Sequence, residues 1–136
     1  NGVNANTETY IGYLFAEVVG FSRFGTYTGN GDADGPFVYC GFKPRFVVVK
    51  STSSSNEWVI YDSARSPYNV IEANLYVNLN SAEFDESTAQ IDFLSNGFKL
   101  RKSGPSDMNT DGTIYLVIAF AENPFGGSGV APATAR

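Results

Sequence analysis

Short runs of β-branched and aromatic residues follow one another along almost the whole chain, each closed by a cluster of Gly, Asn, Asp, Ser or Pro. No stretch repeats its apolar residues at the spacing of an amphipathic helix. Turn clusters this close together leave segments long enough for strands but too short for most helices. The pattern therefore predicts eight or nine short strands in an all-β fold, a two-sheet antiparallel β-sandwich of jelly-roll-like type with little or no helix.

The clearest local signal is Ser95-Asn96-Gly97, which lies between apolar runs at residues 91–94 and 98–101. Asn and Gly both tolerate positive φ, so Asn-Gly between such runs predicts a β-hairpin. The two most apolar runs are residues 10–19 (YIGYLFAEVV) and residues 113–121 (TIYLVIAFA). Continuous apolar runs rich in β-branched and aromatic residues are typical of buried strands, so both segments are predicted to be central strands.

The remaining apolar runs predict shorter strands nearer the sheet edges. These strands are expected at residues 21–27, 37–42, 46–50 and 57–61. Residues 71–79 (IEANLYVNL) fit either a strand or a helical turn, and the acidic residues 81–90 predict an exposed loop. By composition, residues 1–9 are a linker or mobile terminus, residues 10–125 form a single β-sandwich domain, and residues 126–136 form an irregular tail.

One short segment resembles another within the chain. Residues 9–17 and 113–122 are both apolar, and both end in Phe-Ala-Glu. Two interpretations stay open: the segments are two similar core strands, or the chain was cut from a tandem array. Because the chain starts with Asn rather than Met, we expect it to be part of a longer protein.

Composition excludes several classes of function. The chain has no His, which removes Ser-His and Cys-His catalysis and His-containing zinc sites. It has one Cys, Cys40, so it contains neither an intrachain disulfide nor a Cys-x-x-Cys pair. Nine Lys and Arg against fourteen Asp and Glu give a net charge of −5, which predicts no nucleic-acid partner. No apolar run approaches about 18 residues, so no membrane insertion is expected.

Residues 30–35 (NGDADG) match the first half of a calcium-binding loop. Its first, third and fifth positions hold Asn30, Asp32 and Asp34, and a Gly follows at the sixth. The second half departs from the pattern, because Gly41 stands where a bidentate Glu is needed. Two interpretations stay open: a tight turn without metal, and a Ca²⁺ site with these three side chains as candidate ligands. No other cofactor is predicted.

No combination of residues predicts a catalytic site, and the chain is predicted not to be an enzyme. The carboxylates that could serve a glycosidase belong mainly to a polar segment and are better explained as a solvated acidic loop. These carboxylates are Glu83, Asp85, Glu86 and Asp92. Asp62 and Arg65 predict an ion pair that closes a loop. Cys40 lies between aromatic residues, so we expect a buried, unreactive thiol.

Aromatic residues are abundant, with eleven Phe, eight Tyr and one Trp. Most of them are expected in the core or in contacts between subunits. Exposed rings can also form a platform on which a sugar stacks, as they do in lectin-like modules. Trp58 and Tyr68 are the candidate ligand-binding residues for that role.

Several ordered blocks of the sequence resemble a family of bacteriophage proteins. The blocks are residues 10–17, 20–31 (GFSRFGTYTGNG), 34–39 (DGPFVY), 41–44 (GFKP), 58–65 (WVIYDSAR), 91–101 (IDFLSNGFKLR) and 119–125 (AFAENPF). Together they resemble an uncharacterised domain near the C-terminal end of long phage tail or tail-fibre proteins. The resemblance covers nearly the whole chain, from residue 9 to residue 136.

The resemblance implies a structural protein of the virion tail, extracellular when mature. It implies a homotrimer or another homo-oligomer that contacts other tail proteins, and it assigns no catalytic residue. It also implies attachment to a host cell-surface glycan or protein, for which polar loops on a rigid sheet scaffold are suited. Two alternatives stay open: a lectin-like carbohydrate-binding module, and a subunit that repeats along a filament or decorates a virion shell.

Overall fold

A computed structural model of the chain describes residues 5–85, 90–104, 106–126 and 129, and within them the fold has nine β-strands and no helix. The strands are β1 (Ser22–Thr28), β2 (Phe37–Tyr39), β3 (Pro44–Ser51), β4 (Val59–Asp62), β5 (Ala73–Tyr76), β6 (Phe84–Asp85), β7 (Ile91–Leu94), β8 (Gly97–Leu100) and β9 (Ile114–Ala121). They form a six-stranded sheet, β1-β9-β3-β4-β5-β6, and a three-stranded sheet, β2-β8-β7. Every described pair is antiparallel, so the predicted all-β, two-sheet sandwich is confirmed.

The two longest strands lie at the centre of the large sheet. β3 and β9 have eight residues each, and β9 lies between β1 and β3. Ile118 of β9 is opposite Phe24 of β1 on one side and Val48 of β3 on the other. The prediction that residues 113–121 form a central strand is therefore confirmed. The pairings of β1 with β9 and of β2 with β8 are nested, which is the jelly-roll-like part of the topology.

The hydrophobic core lies between the two sheets. Side chains of a strand alternate between its faces, and buried and less buried residues alternate along all of β9. The large sheet contributes Tyr27, Val47, Val49, Val59, Tyr61, Tyr115, Val117 and Ala119, and the small sheet contributes Ile91, Phe93, Phe98 and Leu100. Each fully buried Val, Leu, Ile or Phe side chain contributes about 1.5–3 kcal/mol relative to an exposed one. This inward set therefore holds the two sheets together.

The hairpin predicted at residues 91–101 is confirmed, but the Gly in it has a different role from the one predicted. Ser95 and Asn96 join β7 to β8, and Leu94 is opposite Gly97. Neither Asn96 nor Gly97 has a positive φ. Gly97 is needed for space, because a Cβ there would lie 2.1 Å from the backbone oxygen of Val38 in β2. The absence of a side chain lets β2 approach β8 closely.

The prediction that residues 10–19 form a central strand is wrong. These residues belong to no strand, and only Val18 makes an isolated bridge, to Ser22. Both sides of β9 are already paired, with β1 and β3, so no central position remains for another strand. An apolar run shows that a segment favours burial, but not which neighbour buries it. The interpretation of the internal resemblance as two core strands is wrong for the same reason, and the tandem-array interpretation stays a prediction.

Other boundaries differ less. The strand expected at residues 37–42 ends after three residues, and the chain turns at Gly41 with φ of 81°. Residues 71–79 contain β5 and not a helical turn. The loop predicted at residues 81–90 includes β6, and residues 86–89 lie outside the described residues. Residues 1–4 of the predicted linker and nearly all of the predicted tail also lie outside them.

Candidate functional site

Residues 10–19, which we call the N-terminal arm, carry large apolar side chains in solvent. Ile11 and Tyr13 are each 80% exposed, and Leu14 is 99% exposed. The backbone of residues 11–15 makes no hydrogen bond to any described residue. A β-forming segment with free backbone groups and exposed apolar side chains is a template for pairing with another chain. The arm therefore has the properties of an interface element.

The C-terminal half of the arm is attached to β1. The hydroxyl of Ser22 donates to the backbone oxygen of Ala16 at 3.0 Å and accepts from the backbone nitrogen of Val18 at 3.1 Å. Glu17 forms an ion pair with Arg23, with 2.5 Å between Oε1 and Nη1. N-terminal to these contacts, the ring of Phe15 lies against Phe24 and Phe120 on the outer face of the large sheet. The arm is thus held at one end while its apolar side chains stay exposed.

Aromatic rings lie on the outer face of the large sheet where Phe15 of the arm contacts it. We call them the outer aromatic cluster: Phe15, Phe21, Phe24, Phe46, Phe120 and Phe125. Phe120 is its centre, with ring centroids of other members 5.9 to 6.2 Å away. Phe15 remains 62% exposed and Phe125 85% exposed. The arm and the cluster form one continuous apolar surface.

The small sheet carries charged pairs on its outer face, beside the exposed aromatic side chains of Phe37 and Tyr39 in β2. Arg101 pairs with Asp92, and Lys99 pairs with Asp34, each across 2.6 Å. The Lys99–Asp34 pair is solvated on the Asp34 side and contributes little to association, whereas the Asp92 carboxylate is buried. The large sheet carries the larger group of contacting aromatic rings, which makes its outer face the better suited of the two to apolar contacts.

Trp58 and Tyr68, the two predicted ligand-binding residues, do not lie together. Trp58 directly precedes β4, is partly buried, and donates its backbone N–H to the Asn78 side chain at 3.0 Å. Tyr68 lies in the loop after β4, so the two rings are at opposite ends of that strand. A single stacking platform made of both rings is not present.

Tyr68 borders a cavity of about 170 Å³ and is 83% exposed. Ser63 lines the same cavity, and its buried hydroxyl has no hydrogen-bond partner. Ile71 and Phe93 supply an apolar floor. An exposed ring that borders a partly polar cavity can contact a small polar ligand, so Tyr68 stays a candidate.

The predicted calcium loop is organised by hydrogen bonds. The Asn30 side chain accepts from the backbone nitrogen of Asp32 at 3.1 Å, and the Asp32 carboxylate accepts from that of Asp34 at 2.8 Å. Lys99 donates a hydrogen bond to the Asp34 carboxylate and, with its charge, lowers the pKa of that group. Within the described ranges, no three Cys, Asp or Glu side chains could hold a metal ion together. The Ca²⁺ site stays a prediction.

A buried amide at the other side of this loop was not identified from the sequence. Asn109 is fully buried, and its side chain accepts from the backbone nitrogen of Asn30 at 3.0 Å. It donates to the backbone oxygens of Asp32 and Lys102, each at 2.8 Å. Asn109 therefore ties residues 30–35 to residues 102–110. An Asn in a polar segment gave no signal that it would be buried.

The carboxylates considered for a glycosidase are placed in different surroundings. Glu83 pairs with Arg65 at 2.8 Å on the large-sheet side, whereas Asp92 pairs with Arg101 on the small sheet. Asp85 is exposed in β6, and Glu86 lies outside the described residues. The described members of the set therefore do not form a facing pair.

The predicted ion pair between Asp62 and Arg65 is confirmed, with 2.5 Å between Oδ2 and Nε. Burial acts to raise the pKa of Asp62, but hydrogen bonds from the side chain and backbone of Arg65 and from the backbone of Ala64 outweigh it and hold that pKa below its usual range. Arg65 also contacts Glu83, so one guanidinium bridges two carboxylates. The pair closes the turn after β4, which is a structural role.

Cys40 is buried, as predicted. Burial raises the pKa of its thiol to about 12. The thiolate is the reactive form, so the folded protein holds this Cys in its unreactive state at neutral pH.

A domain of unknown function, DUF7483, matches residues 1–124. The chain belongs to the DUF7483 family. No curated protein and no solved structure matches it. In the described part of this DUF7483 domain, no helix is long and apolar enough to cross a membrane. The family match covers most of the chain and assigns no activity to it.

Proposed function

We propose that this DUF7483 domain is a non-enzymatic structural domain of a bacteriophage tail or tail fibre, present in the virion and extracellular when mature. Copies of the chain associate through the N-terminal arm and the outer aromatic cluster, as a homotrimer or another homo-oligomer. The observation that carries the proposal is the arm itself, with Leu14 99% exposed next to an aromatic sheet face. The virion context is supported by the resemblance of the sequence blocks to phage tail proteins.

The size of the apolar surface supports self-association. Six large apolar residues of the arm, Ile11, Tyr13, Leu14, Phe15, Val18 and Val19, are each at least half exposed. Together they present roughly 800 Å², which is the area that one partner contributes to a stable interface of standard size. Apolar patches of this size are uncommon on monomeric proteins. A second copy offers the same arm and the same cluster, so each copy can cover the other's surface.

Attachment is the second part of the proposal. Other tail proteins and a host cell-surface glycan or protein are the expected partners. Loops on a rigid sheet scaffold are the usual carriers of recognition. The lectin-like alternative is favoured by one specific observation, the exposed ring of Tyr68 beside the unpartnered hydroxyl of Ser63.

The mass of the purified chain in solution tests self-association. Light scattering is expected to give a multiple of the 14.7 kDa chain mass, three times that value for the trimer. The double variant Ile11→Asp, Leu14→Asp places two charges on the arm and is expected to be monomeric. Leu79→Asp, which changes an exposed Leu far along the chain from the arm, is the matched control and should keep the wild-type mass. A monomeric wild-type chain at about 100 μM would contradict the proposed interface.

The virion context needs a separate experiment. Gold-labelled antibodies against the domain are expected to mark the tails of intact phage particles in electron micrographs. Label spaced along a filament or over the capsid shell would favour the repeating or decorating subunit instead. Particles that carry no label would refute a virion location.

A further inference from the structure

β1 is the last strand on its side of the large sheet, so one of its two edges has no neighbouring strand. Backbone groups of successive strand residues point to alternate sides. Phe21 and Gly29, which flank β1, both point to the β9 side. The oxygen of Phe21 accepts from the nitrogen of Ala121, and the nitrogen of Gly29 donates to the oxygen of Thr113, each at 2.9 Å. The even-numbered residues of β1 therefore direct their N–H and C=O groups to the free edge.

The beginning of this edge is occupied by the chain's own N-terminal arm. The backbone nitrogen of Ser22 donates to the backbone oxygen of Val18 at 2.9 Å. The backbone nitrogen of Phe24 donates to the Glu17 carboxylate at 3.4 Å. Both contacts lie on the side of β1 that faces away from β9, in agreement with the alternation. The arm thus follows the edge of β1 as far as Phe24.

Further along β1 the edge is free. Thr26 and Thr28 are exposed, and no described residue forms a hydrogen bond with the backbone groups that they direct outward. Two N–H and two C=O groups are therefore available to an added strand. Thr is β-branched and suits a strand that is paired on both sides.

The arm of the same chain does not fill this part of the edge. If the bridge between the arm and β1 continued in register, Phe15 would lie opposite Gly25 and on the same face of the sheet. That face is the inner one, because Gly25 is opposite Val117 of the core. The ring of Phe15 lies instead against Phe24 and Phe120 on the outer face. The chain has therefore left the edge of β1 at this point.

Each copy thus has one free strand and one free edge. Residues 10–15 (YIGYLF) carry no charge and are rich in β-forming residues. The backbone of residues 11–15 forms no hydrogen bond with a described residue, and five extended residues span about 17 Å. Thr26 and Thr28 are about 7 Å apart along their strand, so an arm is long enough to pair with both.

We propose that β1 of one copy accepts residues 11–15 of a second copy as an added strand. Backbone hydrogen bonds then join the incoming arm to Thr26 and Thr28, which is a known mode of recognition at exposed sheet edges. The exchange closes as a reciprocal pair of copies, or as a ring in which each arm reaches the next copy. This inference rests on the proposed self-association and adds the surface that receives the arm.

Hydrogen exchange of backbone amides, followed by NMR on the purified chain, tests the proposal. Light scattering on the same sample gives the mass. In the oligomer, the amides of Thr26 and Thr28 are expected to exchange at least about tenfold more slowly than in the double variant Ile11→Asp, Leu14→Asp. Protection is expected because these two N–H groups donate to the arm of another copy.

Phe37 and Tyr39 are internal controls on the other sheet. Their amides point to the free edge of β2, because residues 36 and 40 form hydrogen bonds on the β8 side. They should exchange equally fast in the wild type and the double variant. Thr26→Pro removes an edge-facing N–H without removing a bond to β9, and it is expected to raise the dissociation constant by about tenfold. Phe37→Pro removes the same kind of group from β2 and should associate as the wild type does.

The outcomes separate this proposal from the self-association on which it rests. A monomeric wild-type chain overturns both. An oligomer in which Thr26 and Thr28 exchange as fast as in the double variant overturns the strand exchange alone. Protection that persists when the wild-type chain is diluted to monomers also overturns it, because the chain's own arm then occupies the edge. If Thr26→Pro does not fold, the exchange rates of the wild type decide the question.

Discussion

Replacing Asn109 with Ala should detach two polar loops from each other. The side chain accepts one hydrogen bond from the backbone of Asn30 and donates two, to the backbone oxygens of Asp32 and Lys102, at 2.8 to 3.0 Å. Each such bond contributes about 1 kcal/mol net, so three give about 3 kcal/mol. Because Asn109 is fully buried, water replaces these bonds poorly and the estimate is not reduced for exposure.

Chemical and thermal unfolding followed by circular dichroism measure this loss. A decrease of about 3 kcal/mol corresponds to a decrease of roughly 10 °C in the unfolding midpoint for a domain of this size. Asn80→Ala, which changes an exposed Asn, is the matched control and should remain within about 0.5 kcal/mol of the wild type. A loss below about 1 kcal/mol in Asn109→Ala would refute the view that this amide joins the loops.

The same assay addresses the predicted Ca²⁺ loop. Asn30 and Asp32 already use side-chain oxygens to accept backbone N–H groups of the turn. We therefore expect millimolar Ca²⁺ to shift the unfolding midpoint by less than about 1 °C. A clear rise with Ca²⁺ that is absent in Asp32→Ala would instead establish the site predicted from the sequence.

Three further predictions concern the backbone, the thiol and the ion pair. Gly97→Ala should cost more than about 2 kcal/mol in urea unfolding, whereas Gly25→Ala, with open space around it, should be nearly neutral. Burial raises the pKa of the Cys40 thiol from 9.0 in the unfolded chain to about 12 in the folded protein. The free energy of unfolding should therefore be unaffected by this thiol below about pH 9 and should decrease above it, by about 1.4 kcal/mol per pH unit. In Cys40→Ala, the free energy of unfolding should decrease less steeply with pH in this range. An equally steep decrease in the variant would contradict the attribution to Cys40. Arg65→Lys should cost about 0.5–1 kcal/mol at neutral pH. The difference from wild type should vanish in acid, as Asp62 is protonated through its lowered pKa; a difference unchanged in acid would exclude the ion pair as its cause.

Local patterns predicted much of the fold. The Asn-Gly turn between two apolar runs identified the hairpin of β7 and β8, and a continuous apolar run identified the central strand β9, because both signals act over a few neighbouring residues. The Asp62–Arg65 pair and the burial of Cys40 were also predictable, since their partners or neighbours are close in sequence. Exposure of residues 10–19 was not predictable in this way, because it depends on the partners that β9 already has.

The candidate sites also combine features that neighbouring residues predict with features that depend on distant contacts. The exposed ring of Tyr68 lies in a loop marked by Pro67 and Asn69, and loop residues are often exposed. Asn74 is buried and its side-chain oxygen has no hydrogen-bond partner, but it gave only a weak signal, a polar residue inside an apolar strand. Its unpartnered oxygen exists because β5 turns that side chain toward a cleft whose other wall is about thirty residues further along the chain. No local pattern contains that information.

By itself, the sequence determined the class of fold, the absence of His chemistry and the acidic balance, because these depend on composition and on the spacing of apolar residues. Tertiary structure alone decided that the most apolar early segment lies outside the sheets, that Asn109 joins two loops, and that the side-chain oxygen of Asn74 is buried without a hydrogen-bond partner. Each of these outcomes depends on contacts between residues far apart in the chain. Such contacts form when the two sheets pack, because the packing determines which face of each strand is buried and which polar groups are hydrogen-bonded.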